Sequence, residues 1–107
     1  VTLSGGQKQR VSIARALIKN PDLIILDDSL SAVDTNTEKQ ITGYFNTVLA
    51  DKTAIIVTHR IYSSLEFDKI IVLEDGRVAE MGTHEELLLN EGYYADMYER
   101  QSLEETE

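Results

Sequence analysis

Three things are scarce in this sequence of 107 residues: cysteine, long apolar runs and positive charge. Because there are no cysteines, disulfides are excluded, and a thiol-free chain fits a reducing compartment such as the cytosol. The longest apolar run is four residues, far short of the roughly 18 that a membrane-spanning helix needs. Ten basic residues against 19 acidic ones leave a net charge of -9, which argues against a surface that binds nucleic-acid duplexes.

A phosphate-binding loop is also missing. The pattern Gly-x-x-x-x-Gly-Lys-Ser/Thr would cradle phosphates with backbone N–H groups, but none of the five lysines follows a glycine. The chain begins at Val1 rather than at Met, and a motif starts two residues later, at Leu3. We therefore expect this sequence to be the carboxyl-terminal part of a longer chain, whose earlier part carries the loop.

The first half of the chain centres on an apolar strand that ends in two acids. Residues Leu23 to Leu26 follow the turn Asn20-Pro21-Asp22, and this apolar run predicts a strand covered on both faces, as in parallel sheets. Asp27 and Asp28 then stand at its carboxyl end, the edge where open α/β sheets bind ligands. Two such acids can hold a metal or a reacting water, or they can merely end the strand and cap the next segment.

Upstream, a glycine-rich stretch predicts the start of a helix. Ser4 is a good N-cap for a helix from Gly5 to Asn20, and Gly5 and Gly6 leave its first backbone N–H groups bare. A capped helix start with exposed N–H groups attracts anions, and the Ser4 hydroxyl adds a donor. These residues therefore predict a phosphate contact, with an ordinary helix cap as the alternative.

Two more polar residues stand at the ends of predicted elements. Asp34 should cap a helix from Thr35 to Ala50, and Thr53 to Thr58 should form a second buried strand that ends in His59. Capping alone would account for Asp34, and a lone histidine after a strand is usually a surface residue. These two positions do not establish a function by themselves.

The remaining part of the chain is predicted to have a structural role. It predicts a hairpin over residues 69–81 turned at Asp75-Gly76, a short helix opened by the capping box Thr83 to Glu86, and a second helix after Gly92. Residues 102–107 carry three acids and little to bury, so we expect a disordered tail after a domain that occupies residues 1–101.

The order of the motifs resembles the ATP-binding cassette (ABC) ATPases, and the likeness runs through nearly the whole chain. The residues that carry it are Leu3-Ser4-Gly5-Gly6-Gln7, Ala14-Arg15-Ala16, the strand ending in Asp27, Ser31-Ala32-Val33-Asp34, and the second strand ending in His59. This resemblance implies an α/β fold: part of a P-loop NTPase (RecA-like) parallel-sheet domain, with the signature helix of the helical subdomain and a carboxyl-terminal hairpin and helices.

The resemblance also implies a role for each candidate residue in the binding and hydrolysis of ATP with Mg²⁺. Ser4 to Gln7 would form the signature loop, which contacts the γ-phosphate of ATP held by a partner subunit. Asp27 would bind Mg²⁺ through water, and His59 would contact the γ-phosphate and the attacking water. Asp34 would lie in the loop that crosses the dimer interface and links the two ATP sites.

Further details resemble the exporter branch of the family. They are the segment from Gln7 to Leu17 and the motifs Gly82 to Leu87 and Gly92 to Tyr94. In that branch the ATPase follows a membrane-spanning region of the same chain and lies on the cytoplasmic face of the membrane. The resemblance thus implies an ATPase that powers export.

One position departs from the family, which usually has Glu where this chain has Asp28. Asp is one methylene shorter, so its carboxylate stops about 1 Å short of the attacking water, which can cost on the order of a hundredfold in rate. An impaired site beside an intact signature loop resembles one half of a heterodimeric multidrug exporter, in which two ATPase domains pair head to tail.

Two other classes remain open from the sequence. One is a soluble ABC ATPase of DNA repair or translation, which the acidic balance and the exporter-like tail disfavour. The other is a non-catalytic fragment, because the 107 residues alone lack the phosphate loop and are expected to be inactive by themselves. The sequence contains no indication of the transported substrate.

Overall fold

The computed structural model describes residues 4–28, 30–62 and 64–106, so Leu3, the first residue of the signature motif, lies outside the described part. The chain divides into two compact units, Val1–Leu65 and Glu66–Glu107, which we call the first and second units. Within the described ranges, no helix combines the length and hydrophobicity needed to cross a bilayer.

The first unit alternates helices and parallel strands. Its elements are α1 (Gly5–Ile18), β1 (Leu23–Asp27), α2 (Thr35–Val48) and β2 (Thr53–Val57). The two strands pair in parallel, with Leu23 opposite Thr53 and Asp27 opposite Val57. The alternation of helices with parallel strands confirms the predicted α/β class. Parallel pairing also puts both carboxyl ends at one edge, so the residues that follow the two strands lie close together.

The prediction that both strands are covered on both faces is wrong for the described chain. In β1, Ile24 and Leu26 are 4% and 5% exposed, whereas Ile25 between them is 61% exposed. Most residues of β2 are exposed on both faces. Successive strand side chains point to opposite faces, so burying a continuous apolar run needs two covered faces, and the described residues cover one face of β1.

The buried face of α2 also differs from the apolar pattern of its sequence. Phe45 is buried, but its buried neighbours on the helix are the polar residues Glu38 and Thr42, at spacings of seven and three residues. The Thr42 hydroxyl donates to the carbonyl oxygen of Glu38 at 2.9 Å, which satisfies it inside the core. The core of the first unit is completed by Ile13, Leu30, Ile61, Tyr62 and Leu65.

Helix α1 ends two residues earlier than predicted. Lys19 is its C-cap, and Asn20 has a positive φ of 48°. The residue before a proline is disfavoured in the helical region, and asparagine tolerates the left-handed region better than most residues. The Asn20-Pro21 pair therefore ends the helix and turns the chain towards β1.

The second unit contains an antiparallel hairpin followed by two helices. Strands β3 (Ile70–Glu74) and β4 (Arg77–Gly82) are joined by Asp75 and Gly76, both at positive φ (51° and 73°), as a tight hairpin turn requires. Helix α3 (His84–Asn90) begins with the predicted capping box between Thr83 and Glu86. The hairpin and this helix start are confirmed.

Helix α4 (Tyr93–Thr106) includes residues 102–106, where the sequence predicted disorder, and residue 107 lies outside the described part. Glutamate, glutamine and leucine are good helix formers, and Arg100 pairs with Asp96 at 2.8 Å, one turn apart. Local helix propensity and the ion pair therefore outweigh the lack of apolar residues here. The division of the chain at residue 101 stays a prediction.

Candidate functional site

Residues from two separate stretches of sequence meet where β1 and β2 end. The N–H of Asp28 donates to the carbonyl oxygen of Val57 at 2.7 Å, so pairing continues one residue beyond β1. His59 follows two residues after β2, and its Nδ1 lies 3.6 Å from Oδ1 of Asp28. Both side chains are accessible, with 76% of His59 and 43% of Asp28 exposed. A carboxylate and an imidazole so placed can both reach one bound water or phosphate.

The backbone of Asp28 adopts the left-handed conformation, with φ at 52°. This region is uncommon for residues other than glycine, although asparagine and aspartate are enriched in it because their short polar side chains hydrogen-bond locally. Such strained residues cluster at functional sites. The conformation therefore gives a structural reason for a short acid at this position, which the sequence alone did not reveal.

Asp27 lies one residue earlier at the same edge and is exposed. Among the described residues, no group of three or more acidic, histidine or cysteine side chains gathers as a metal cage. Mg²⁺ in nucleotide sites keeps several waters and takes one or two carboxylates together with phosphate oxygens. A single accessible carboxylate at a ligand-binding edge fits that requirement, so Asp27 is suited to hold Mg²⁺ together with a nucleotide.

The signature residues form a complete cap at the start of α1. The Ser4 hydroxyl oxygen accepts from the N–H of Gln7 at 3.2 Å, and Oε1 of Gln7 accepts from the N–H of Ser4 at 2.9 Å. The predicted N-cap is confirmed, and Gln7 gains a role as its reciprocal partner. The N–H groups of Gly5 and Gly6 have no acceptor within the helix, which leaves them suited to bind an anion.

Both signature glycines lie against the loop that follows β1. A Cβ added to Gly6 would lie 3.0 Å from the carbonyl oxygen of Ala32, and one added to Gly5 would lie 3.3 Å from Cβ of Ala32. A side chain at Gly6 would therefore push the helix start away from this loop. The glycines serve close packing as well as exposure of the backbone, a role that spacing in the sequence did not indicate.

Asp34 caps α2 as predicted. Its carboxylate accepts from the N–H of Thr37 at 3.4 Å and from the Thr37 hydroxyl. These hydrogen bonds, the one from the Thr37 hydroxyl first, lower the pKa of the Asp34 carboxyl below its usual 3.8. The signature glycines contact Ala32 and Val33 on the loop that leads to Asp34, so these predicted residues are close neighbours in the fold.

Sequence reasoning missed Gln9, which links α1 to the loop between Asp28 and Asp34. Its Nε2 donates to Oγ of Ser31 at 2.8 Å and to the carbonyl oxygen of Asp28 at 3.4 Å, and its Oε1 accepts from the N–H of Ala32 at 2.8 Å. A polar residue on an exposed helix face carries no sequence signal for such contacts.

A second missed group holds the segment that carries His59. Arg60 Nε lies 3.4 Å from Oε2 of Glu38, which is 7% exposed on α2. The N–H of Arg60 donates to the Thr58 hydroxyl at 3.0 Å, and that hydroxyl also bonds the hydroxyl of Tyr62 at 3.2 Å. Burial is the main cause of the raised pKa of Tyr62. The residues on both sides of His59 are thus anchored to the core while its ring stays accessible.

Comparisons with known proteins identify similar chains. The family model described as ABC transporter matches residues 1–31. The chain is 54% identical over 103 residues, 96% of its length, to a Bacillus subtilis protein named "Probable multidrug resistance ABC transporter ATP-binding/permease protein". It is 46% identical over 105 residues, 98% of its length, to an ATM1-type heavy metal exporter of Novosphingobium aromaticivorans.

A solved structure shows the same fold. A bacterial Atm1-family ABC exporter with ATP bound matches 92% of the chain with a TM-score of 0.84 and 47% sequence identity. The chain is an α/β segment that matches the ATPase domain of ABC exporters. It spans less than a fifth of the relatives it matches: 18% of the B. subtilis protein, 17% of the N. aromaticivorans protein and 18% of the solved chain.

Proposed function

We propose that the full-length protein binds and hydrolyses ATP to drive export across a membrane, and that this chain supplies part of its ATPase domain. The observation that supports this most is the 3.6 Å approach of Asp28 and His59 at the carboxyl edge of a parallel sheet. In the full-length protein, the paired strands β1 and β2 would belong to a larger RecA-like sheet that also carries the phosphate loop.

The chain's own ATP site would use the three residues at this edge. Asp27 would hold Mg²⁺, which supplies positive charge to the phosphates. His59 would donate a hydrogen bond to the γ-phosphate and orient the attacking water, and Asp28 would polarise that water from its shorter side chain. Because of that missing methylene, we propose that this site is slow, and that the 107 residues alone are inactive.

The signature loop would act on a different nucleotide. The signature loop presents the Ser4 hydroxyl and the N–H groups of Gly5 and Gly6 at the positive end of α1, which suits the γ-phosphate of ATP bound to a second ABC ATPase domain. We propose a head-to-tail dimer, in which the loop ending in Asp34 lies at the interface. A slow site beside an intact signature loop favours a heterodimer, joined to transmembrane domains at the cytoplasmic face of the membrane.

Two substitutions at Ser4 test this assignment in the full-length transporter. Aspartate and asparagine are both good N-caps, so Ser4→Asp and Ser4→Asn should preserve α1. Only Ser4→Asp places a negative charge against the γ-phosphate, and we expect it to lower ATP turnover by at least about tenfold relative to Ser4→Asn.

Ser12→Asp is the matched control, because Ser12 lies exposed on the same helix, away from its start. It should leave turnover unchanged. ATP binding to this chain's own site should persist in all three variants. Equal turnover in Ser4→Asp and Ser4→Asn would contradict a phosphate contact by the signature loop.

A further inference from the structure

The side chain of Gln9 connects the two functional parts of the first unit. All three of its hydrogen bonds cross from α1 to residues 19 to 23 positions away in the sequence. Two of them, to Oγ of Ser31 and from the N–H of Ala32, are short at 2.8 Å. Because one carboxamide donates and accepts to the same loop, it fixes the orientation of that loop as well as its distance from the helix.

The position of Gln9 connects the signature loop with the loop that follows Asp28. It lies five residues after Ser4, near the start of α1, and the loop it holds begins at Asp28 and ends at Asp34. Its weakest contact, at 3.4 Å, is with the carbonyl oxygen of Asp28 itself. The Asp28 backbone is in the left-handed region, where surrounding contacts must hold the conformation in place.

The glycine contacts strengthen the same connection. Gly5 and Gly6 lie against Ala32, the residue whose N–H is held by Gln9. The start of α1 therefore contacts the loop through close backbone packing and through a polar side chain. Displacement of the signature loop would therefore displace Ala32 as well.

We propose that Gln9 is a positioning residue that holds Asp28 and Asp34 in a fixed relation to the signature loop. This inference rests on the proposed function for its catalytic consequence. The mechanical link itself rests on the three hydrogen bonds and the glycine contacts.

The test compares Gln9→Ala with Gln9→Glu and Gln40→Ala in the full-length transporter. Alanine removes all three hydrogen bonds. Glutamate keeps the acceptor for the N–H of Ala32 and can accept from the Ser31 hydroxyl, but it cannot donate to the carbonyl oxygen of Asp28. Gln40 is an exposed glutamine on α2 and serves as the control.

Steady-state ATP hydrolysis with the partner's active site silenced is the first readout, because this chain's own site is proposed to be the slower one. Misplacement by about 1 Å can cost on the order of a hundredfold, so a loosened loop should lower kcat by about tenfold in Gln9→Ala and by less in Gln9→Glu. KM for ATP should stay within about twofold, because Gln9 would position the loop without contacting the nucleotide. Adding Ser31→Ala to Gln9→Ala should cost nothing further, since both remove the same contact.

Hydrogen exchange of the backbone amides in residues 30–34 is the second readout, and it does not need activity. Exchange should be faster in Gln9→Ala and unchanged in Gln40→Ala. Unchanged exchange in Gln9→Ala would overturn the link. Faster exchange with unchanged kcat would overturn the positioning role. A wild-type protein without ATPase activity would instead count against the proposed function, while the exchange data would still decide whether Gln9 holds the loop.

Discussion

Asp28 and His59 in the first unit and Glu80 in the second unit use their polar groups in opposite ways. In the first unit, Asp28 and His59 stay accessible at a sheet edge, and Asp28 is held in a strained backbone conformation. In the second unit, the carboxylate of Glu80 accepts from the N–H of Tyr94 at 3.0 Å and from Nδ2 of Asn90 at 2.8 Å. Glu80 therefore completes the structure, whereas Asp28 and His59 keep bonding capacity for a ligand.

The two histidines show the same contrast. His59 is exposed, whereas Nδ1 of His84 lies 2.7 Å from the hydroxyl of Tyr94, and its ring packs edge-on against Tyr94 and Tyr98. Burial, ahead of the neighbouring charges, raises the pKa of Tyr94 to about 12. A polar side chain in this chain is thus best interpreted by whether the fold already satisfies it, and substitutions in both units can test that criterion.

The largest effect is expected from replacing the two histidines. With the partner's active site silenced, His59→Ala should lower ATP turnover by about a hundredfold or more, the range typical of lost proton-transfer groups, with little change in thermal stability. His84→Gln should lower thermal stability with little change in ATP turnover, because it disturbs packing in the second unit alone. Turnover assays and thermal unfolding of the full-length protein distinguish these outcomes. A loss of turnover in both variants would remove the contrast between the units.

A pair of glycine substitutions tests the structural role of Glu80. A Cβ on Gly92 would lie 2.6 Å from Oε1 of Glu80, so Gly92→Ala should displace that carboxylate and cost about 1 to 2 kcal/mol in lost hydrogen bonds. Gly43 lies inside α2 with open space around its Cβ position, so Gly43→Ala should stabilise α2 by about 0.5 to 1 kcal/mol. Hydrogen exchange in α4 and α2 measures each effect, and equal effects of the same sign would contradict this structural account.

Lengthening the acid at position 28 tests whether the short side chain of Asp28 limits turnover in the first unit. Asp28→Glu restores the methylene that the family pattern has, so turnover at this chain's own site should rise when the partner's site is silenced. We expect a gain of less than about tenfold, because glutamate fits the left-handed backbone less well than aspartate. The control is Asp28→Asn, which keeps the backbone preference but loses the charge and should not gain. Unchanged turnover in Asp28→Glu would show that Asp28 does not limit turnover at this site.

The smallest effect concerns pH at the cap of α2. Since hydrogen bonds from Thr37 lower the pKa of Asp34 below 3.8, its stabilising contribution is complete above that value and is lost as pH falls through the lowered pKa. Asp34→Asn keeps a capping side chain that does not titrate in this range. Amide exchange in the first turn of α2 should therefore accelerate on acidification in the wild type more than in Asp34→Asn. Identical pH profiles would show that the cap is not linked to the charge of Asp34.

Local signals in the sequence predicted much of the fold. The caps at Ser4, Asp34 and Thr83 and the turn at Asp75-Gly76 depend on a few adjacent residues, and all four are observed. Burial was harder to predict, because it depends on which faces the rest of the structure covers. On α2, buried Glu38 lies beside Arg60 and buried Thr42 donates to a backbone carbonyl oxygen, and no local pattern encodes those partners.

The candidate site was likewise only partly predictable from the sequence. Asp28 and His59 were predicted to follow strand ends, but their meeting depends on the parallel pairing of β1 with β2, which the sequence did not specify. The link through Gln9 and the left-handed Asp28 depend on the path of one loop in space. A glutamine on a helix and an aspartate after a strand have many possible surroundings, and only the folded chain selects among them.

The parallel register of β1 and β2 determines whether Asp28 and His59 lie close together. A slip of one residue would shift the strands by about 3.3 Å and turn each side chain to the opposite face. That shift is nearly as large as the 3.6 Å between Asp28 and His59, so the slip would separate the pair completely. The buried apolar residues Ile24 and Leu26 therefore help to fix the register of β1, and through it the alignment of Asp28 with His59.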